Sequence, residues 1–363
     1  MRAMTTPQNL RRRTVVLAAM LALATLGAAC VNEPPPTGPT GPPDPTAAPR
    51  AAAGTWLVSQ FNTGTGLIPS AYVPGTNDLL GSAQTAATLG LTGTGAATAT
   101  AAVAALATQV DAAVKDGSGN DRPGALARLI LAVHSVDGDP RAFGGTDLVA
   151  RLEATIQTGG PDAGRFGVQD ATYDGAFRQG LALAALSVVT PTPASIDGSL
   201  GTINAEPAVE WLRSQQCADG SWMPSRPSLS TPCAFDPVTY AGPDTNSTAM
   251  AQLGLRAVGS WAPVNPLGWL STIRNGDGGW SYDGGAGSPS DPDSTGLVMA
   301  AIRSLGLTPD AAATANLLSF QLGSTDPAPD RGAFFYSQSS RTPSLLATND
   351  AVLGLSPGIW PGS

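Results

Sequence analysis

From about residue 51 the chain alternates between apolar runs of helical length and short breaks rich in Gly, Asp, Asn and Ser. Two stretches near the middle carry one pattern twice. Trp211-Leu212-Arg213-Ser214-Gln215-Gln216-Cys217-Ala218-Asp219-Gly220-Ser221-Trp222 is answered by Trp269-Leu270-Ser271-Thr272-Ile273-Arg274-Asn275-Gly276-Asp277-Gly278-Gly279-Trp280. Each begins as a helical run, breaks at an Asp-Gly turn and ends on a Trp able to fold back onto its helix. A second helix follows each, opening on Asp244-Thr245-Asn246-Ser247-Thr248 or Asp291-Pro292-Asp293-Ser294-Thr295. A repeat of this size governs the architecture.

The same reading divides the rest into six helix-turn-helix units. The first opens on Trp56-Leu57-Val58-Ser59-Gln60 and re-enters a helix over 78–91. The second has an alanine-rich helix over 96–114, an Asp116-Gly117-Ser118-Gly119 turn and a helix over 123–136. The third spans 148–157 and 174–189, and the sixth spans 314–322 and 349–355. Second helices such as Leu181-Ala182-Leu183-Ala184-Ala185-Leu186 and Leu297-Val298-Met299-Ala300-Ala301-Ile302 are apolar nearly all round, as helices buried on both sides are. First helices keep a polar face, as in Glu210, Arg213 and Ser214. An inner ring of six helices inside an outer ring of six hides apolar surface that no single hairpin can bury. The expected fold class is therefore all-α, an α6/α6 toroid over 51–363.

Gln216-x-x-x-Gly220-x-Trp222, preceded by Trp211-Leu212, resembles the QW repeat of the prenyltransferase/squalene-cyclase family, and Arg274-x-x-x-Gly278-x-Trp280 resembles it with Arg in the Gln place. The resemblance implies the toroid of terpenoid cyclases, protein prenyltransferase β-subunits and cobalamin carriers, and it implies a structural, bracing role for Trp222 and Trp280. Asp291-x-Asp293-Ser294-Thr295 resembles the DxDD motif of class II terpene cyclases, which implies Asp293 as proton donor with Asp291 beside it. Ser294 stands where the motif's last Asp belongs. Helix capping explains the same residues, since short polar side chains accept from the first free N–H groups. Asp244-Thr245-Asn246 and Thr348-Asn349-Asp350 occupy the equivalent places. Cyclisation also needs aromatic faces around a developing cation. Only Tyr173 and Phe177 lie near the start of an inner helix. A protein-prenyltransferase zinc site would need Asp, Cys and His together, and His134 is the sole histidine. No metal or cofactor is expected.

Composition and charge narrow the partners. The net charge is -8, and only 13% of residues are charged. Arg2 and Arg11 to Arg13 fall in a leader; without them 15 basic residues face 27 acidic ones, a net charge of -12. Such a chain offers little to a phosphate backbone, which argues against nucleic acid. The leader, 1–29, has Arg11-Arg12-Arg13 before an apolar run from Val15 to about Ala29. Cys30 after Gly27-Ala28-Ala29 resembles the lipobox of bacterial lipoproteins, which implies a lipidated Cys30. Ordinary cleavage after Ala29, giving a secreted chain, is the alternative. Residues 30–50 are proline-rich and read as an extended, semi-rigid tether. Cys217 and Cys233, an even pair in an exported protein, are expected to form a disulfide.

These readings combine into an exported, membrane-anchored toroid that binds a small molecule or a cell-envelope protein. The inner-helix N-termini are expected to gather Asp78, Asp174, Asp244, Asn246, Asp291, Asp293 and Asn349 around one mouth. The alternatives are a class II cyclase-like lyase or isomerase using Asp293, and a cobalamin-carrier-like binding domain.

Overall fold

The computed structural model describes residues 44–168, 175–236, 238, 241–283 and 287–358. Cys30 and Asp174 lie outside the described residues, as does Tyr173. Within them the chain is mostly helical. In order come α1 (Ala47–Ser59), α2 (Leu79–Thr92), α3 (Ala96–Ala107), α4 (Val110–Val114), α5 (Pro123–His134), α6 (Leu148–Ala154), α7 (Gly175–Ser187), α8 (Pro207–Ser214), α9 (Thr245–Ala257), α10 (Leu267–Thr272), α11 (Pro292–Ser304), α12 (Ala311–Leu318) and α13 (Leu345–Leu355). A two-stranded antiparallel hairpin, β1 (Phe334–Ser337) and β2 (Ser340–Ser344), precedes α13. No described helix is long and apolar enough to cross a membrane.

Three of the long apolar helices, α2, α9 and α11, start where the sequence supplies a capping Asp. Asp78, Asp244 and Asp291 accept from the N–H groups of Gly81, Ser247 and Ser294 at 2.8, 2.7 and 2.8 Å. Each bond satisfies one of the orphan donors of a first turn. The final helix departs from expectation. Its cap is Ser344, which accepts from the Ala347 N–H at 3.2 Å, so Thr348, Asn349 and Asp350 lie inside the helix and not at its start. The hairpin explains the displacement, because β2 runs straight into α13. Two more boundaries shift. The expected helix over 96–114 breaks into α3 and α4 at Thr108-Gln109. Helix α1 begins at Ala47, inside the expected tether, with Pro49 in its first turn where a missing N–H costs nothing.

Packing follows a circuit. Helix α2 packs on α5, α5 on α7, α7 on α9, α9 on α11 and α11 on α13, and α13 returns to α2. Helices α3, α6, α8 and α12 each lie on the second helix of the preceding unit, and α1 lies on both α2 and α13. Glycines let two of these contacts close. A Cβ on Gly180 would collide with the Met250 carbonyl across α7/α9, and one on Gly296 with the Asp350 carbonyl across α11/α13. Where the circuit meets itself, Thr46 Oγ1 and Arg50 Nη1 donate to the Leu355 carbonyl at 2.9 and 2.8 Å, and Gln321 Nε2 donates to the Pro49 carbonyl at 2.9 Å.

One fastening recurs in successive units. Trp222 is fully buried and Trp280 is 3% exposed. Their indole N–H groups donate to the Leu212 and Leu270 carbonyls at 2.8 and 2.7 Å, pinning each turn to its own outer helix. Their backbone N–H groups donate to Thr248 and Thr295 Oγ1 at 2.9 and 3.0 Å. Phe334 donates likewise to Thr348, and Ile68 to Ser82. Each acceptor stands four residues past its cap. Gln216, Arg274 and Gln321 in turn donate to the carbonyls of Gly220, Gly278 and Gly332. Cys217 and Cys233 form a disulfide.

Candidate functional site

Six helices that meet in a circuit leave a space along its middle. Its walls come from α2, α5, α7, α9, α11 and α13, and its volume is about 70 Å3. The lining divides by sector. Gln84, Arg128, Asn349 and Asp350, from α2, α5 and α13, supply the polar side. Phe177, Leu181, Met250 and Leu297, from α7, α9 and α11, supply the apolar side. Farther along the same helices, Leu91, Leu131 and Leu353 line the space with hydrocarbon. Gln84, Arg128, Leu346 and Asn349 also line an outer groove that runs past Tyr72 and Asp78, so the space opens toward the N-terminal ends of α2 and α13.

The polar side is wired internally. Gln84 Nε2 donates to Asp350 Oδ1 at 3.3 Å. Asn349, 3% exposed, donates from Nδ2 to Thr85 Oγ1 at 3.1 Å and to the Leu345 carbonyl at 2.9 Å. A carbonyl can only accept, so the amide orientation is fixed: Oδ1 is the free end, and it is buried without a partner. Arg128 is close enough to Asp350 to pull its pKa down.

Behind the lining, three carboxyls feel one another. Asp293 is 5% exposed, and its Oδ1 has no hydrogen-bond partner. Burial, then the charges of Asp350 and Asp291, push it up to about 9. Burial pushes Asp350 up to about 7 and raises Asp291, in spite of the bonds Asp291 receives from Ser294. Asp244 also rises to about 7 by burial, against hydrogen bonds from Ser247 and Asn246. Tyr336, on β1, is pushed up to about 12 by burial and by Asp291, Asp293 and Asp283. At neutral pH Asp293 is thus a protonated acid, able to give a proton or a hydrogen bond.

The expected rim is only partly assembled. Asp291 and Asp293 are together, joined by Asp350, whose role sequence reasoning had assigned to capping. Asp78 faces the outer groove over α2. Asp244 lies beside Asp283, its bridge partner, and Asn246 Oδ1 in the first turn of α9 is buried and unpartnered. Asn349 stands in the second turn of α13 and faces the cavity. Gln84 and Arg128 were missed altogether. Their signal was a polar residue interrupting an apolar inner helix, as Gln84 interrupts Leu79–Leu91. Among the described residues no group of three His, Cys, Asp or Glu side chains is placed to hold a metal.

No protein-family model matches the sequence, and no curated protein matches it. Solved structures do. The type II terpene cyclase MstE from Scytonema superposes with a TM-score of 0.52 at 15% identity, over 85% of this chain and 96% of that one. A novel alpha-amylase from Clostridium perfringens superposes with a TM-score of 0.54 at 12% identity, over 87% and 98%. At such identities the likeness shows the fold alone. The chain has a terpenoid-cyclase-like helical fold, and two neighbours with different activities show how little that fold says about chemistry.

Proposed function

We propose that the chain is an α6/α6 toroid built on QW-type repeats, held at the cell envelope, that binds a small molecule in its central cavity without transforming it. The carrying observation is the cavity itself. All six inner helices line it, and it joins a polar sector to an apolar one, the usual makeup of a ligand site. At about 70 Å3 it is far below the roughly 300–1,000 Å3 of pockets that hold drug-sized ligands. A folded polyene does not fit, and among the described residues Phe177 is the one aromatic in the lining. Native mass spectrometry of the protein taken from its own host's envelope tests the reading. A bound small mass is expected on the wild type and not on Leu131→Trp, which fills the cavity. An equal load on both overturns it.

The envelope location rests on the leader, Cys30 and the proline-rich stretch. Cys30→Ser is expected to move the protein from the membrane fraction to the soluble one.

One observation favours a second reading, the class II cyclase-like enzyme. Asp293 is a buried acid kept protonated, as a proton donor to an alkene must be. Against it, the cavity wall carries Asp350 and not Asp293. Incubation with a linear polyprenyl substrate separates the two. Cyclic product that disappears in Asp293→Asn would make the protein an enzyme.

A further inference from the structure

The cavity specifies the kind of molecule it takes, given the reading that it is the binding site. We infer that its ligand is a short amphiphile with an uncharged, hydrogen-donating head, a primary alcohol or a primary amide, whose tail points away from the mouth. Three observations carry this.

The first is the orphaned acceptor. Asn349 Oδ1 is buried, lines the cavity and has no partner, while the same side chain's Nδ2 is held by Thr85 and by the Leu345 carbonyl. A buried acceptor left unsatisfied costs roughly 1–3 kcal/mol, so a donor arriving there is bound partly by relieving that cost. The ligand's head must therefore carry an O–H or N–H.

The second is the charge balance around the head. Arg128 and Asp350 line the cavity together and lie close enough to affect each other. An ammonium head would meet the Arg128 guanidinium, which is always charged. A carboxylate head would meet Asn349 Oδ1, to which it has no proton to donate, and the Asp350 carboxyl beside it. A hydroxyl or a carboxamide escapes both conflicts, because it donates to Asn349 and accepts from Arg128.

The third is the order of the lining. Gln84, Arg128 and Asn349 also line the outer groove, so they stand at the mouth. Leu91, Leu131 and Leu353, which do not line that groove, lie on the same helices one to two turns farther on. A head held at the mouth leaves the tail among leucines, and the small volume keeps that tail to a few carbons.

Titration calorimetry of the full chain at pH 7.5 with 1-butanol, butanamide, butylammonium and butanoate tests the assignment, since the four share a tail and differ in the head. The neutral pair should bind, and each charged analogue should bind at least about tenfold more weakly, the order of penalty for burying a charge without a dedicated partner. Asn349→Leu should abolish the advantage of the neutral heads. Arg128→Met, which leaves Asp350 without its counter-charge, should raise the affinity for butylammonium about tenfold. Should Asn349→Leu fail to fold, the Arg128→Met result decides. A charged analogue that binds wild type as tightly as 1-butanol overturns the head assignment and leaves the cavity as the binding site. Binding of none of the four overturns the assignment as well, and the bound mass on wild type against Leu131→Trp then judges the cavity separately.

Discussion

The fourth and fifth units are near copies, and one chemical difference between them marks where structure ends and chemistry begins. Both have a capping Asp, a buried Trp pinned by its indole to the outer helix, and a Thr hydroxyl receiving the Trp backbone N–H. Two residues past the cap they part. Unit four carries Asn246 and unit five carries Asp293. Capping fixes Asp244 and Asp291 equally, so neither distinguishes the units. The position beyond the cap is free of that duty. In unit five it holds an acid that burial and two neighbouring carboxyls keep protonated. A repeat thus keeps its fastenings in its own sequence and varies a position that capping leaves free.

The sharpest way to break the comparison is to remove the shared fastening. Trp222→Ala and Trp280→Ala should each cost about 3–5 kcal/mol in urea unfolding, the usual loss for a buried Trp. Costs that differ by more than about 2 kcal/mol would show that the two units are not equivalent supports. A second test removes what only unit four possesses. Replacing Cys217 and Cys233 by Ser opens a link across a sequence separation of 16 and should cost about 3 kcal/mol, chiefly by freeing the unfolded chain. Unchanged stability would mean that the cross-link adds nothing to a loop already held.

The third test concerns the differing residue. Asp293 keeps its proton up to about pH 9 in the folded chain, whereas an unfolded Asp loses it near 3.9. The folded state therefore binds more protons through that window, and stability must fall as pH rises. Asp350 and Asp244 contribute in the same direction only up to about pH 7. Between pH 7 and 9 Asp293 still contributes to the slope, at up to about 1.4 kcal/mol per pH unit. Asp293→Asn should flatten it and raise stability at pH 8. Equal slopes in wild type and variant would remove Asp293 as the buried acid of this pair.

Much of the scaffold was legible because it is local. The caps at Asp78, Asp244 and Asp291, the Asp-Gly turns and the indole of the Trp that ends each turn all find a partner within a dozen residues. The cysteine pair needed only a count. The last unit was misread because the start of α13 depends on β2 pairing with β1, and two short polar strands carry no strong alternation. Thr348-Asn349-Asp350 therefore resembled a cap when it lies inside a helix. The cavity was out of reach for a different reason. Gln84, Arg128 and Asn349 come from three separate units, and no spacing in the chain announces that a circuit brings them together.

The seam at Leu355 bears on how such a molecule is made. Its carbonyl receives Thr46 and Arg50, which come more than three hundred residues earlier. A ribosome delivers the receiving group some three hundred residues after α1, so α1 waits without one of its two neighbours until α13 has been made. The circle can be locked only once α13 is free to fold, so its first and last helices become neighbours in a single late step.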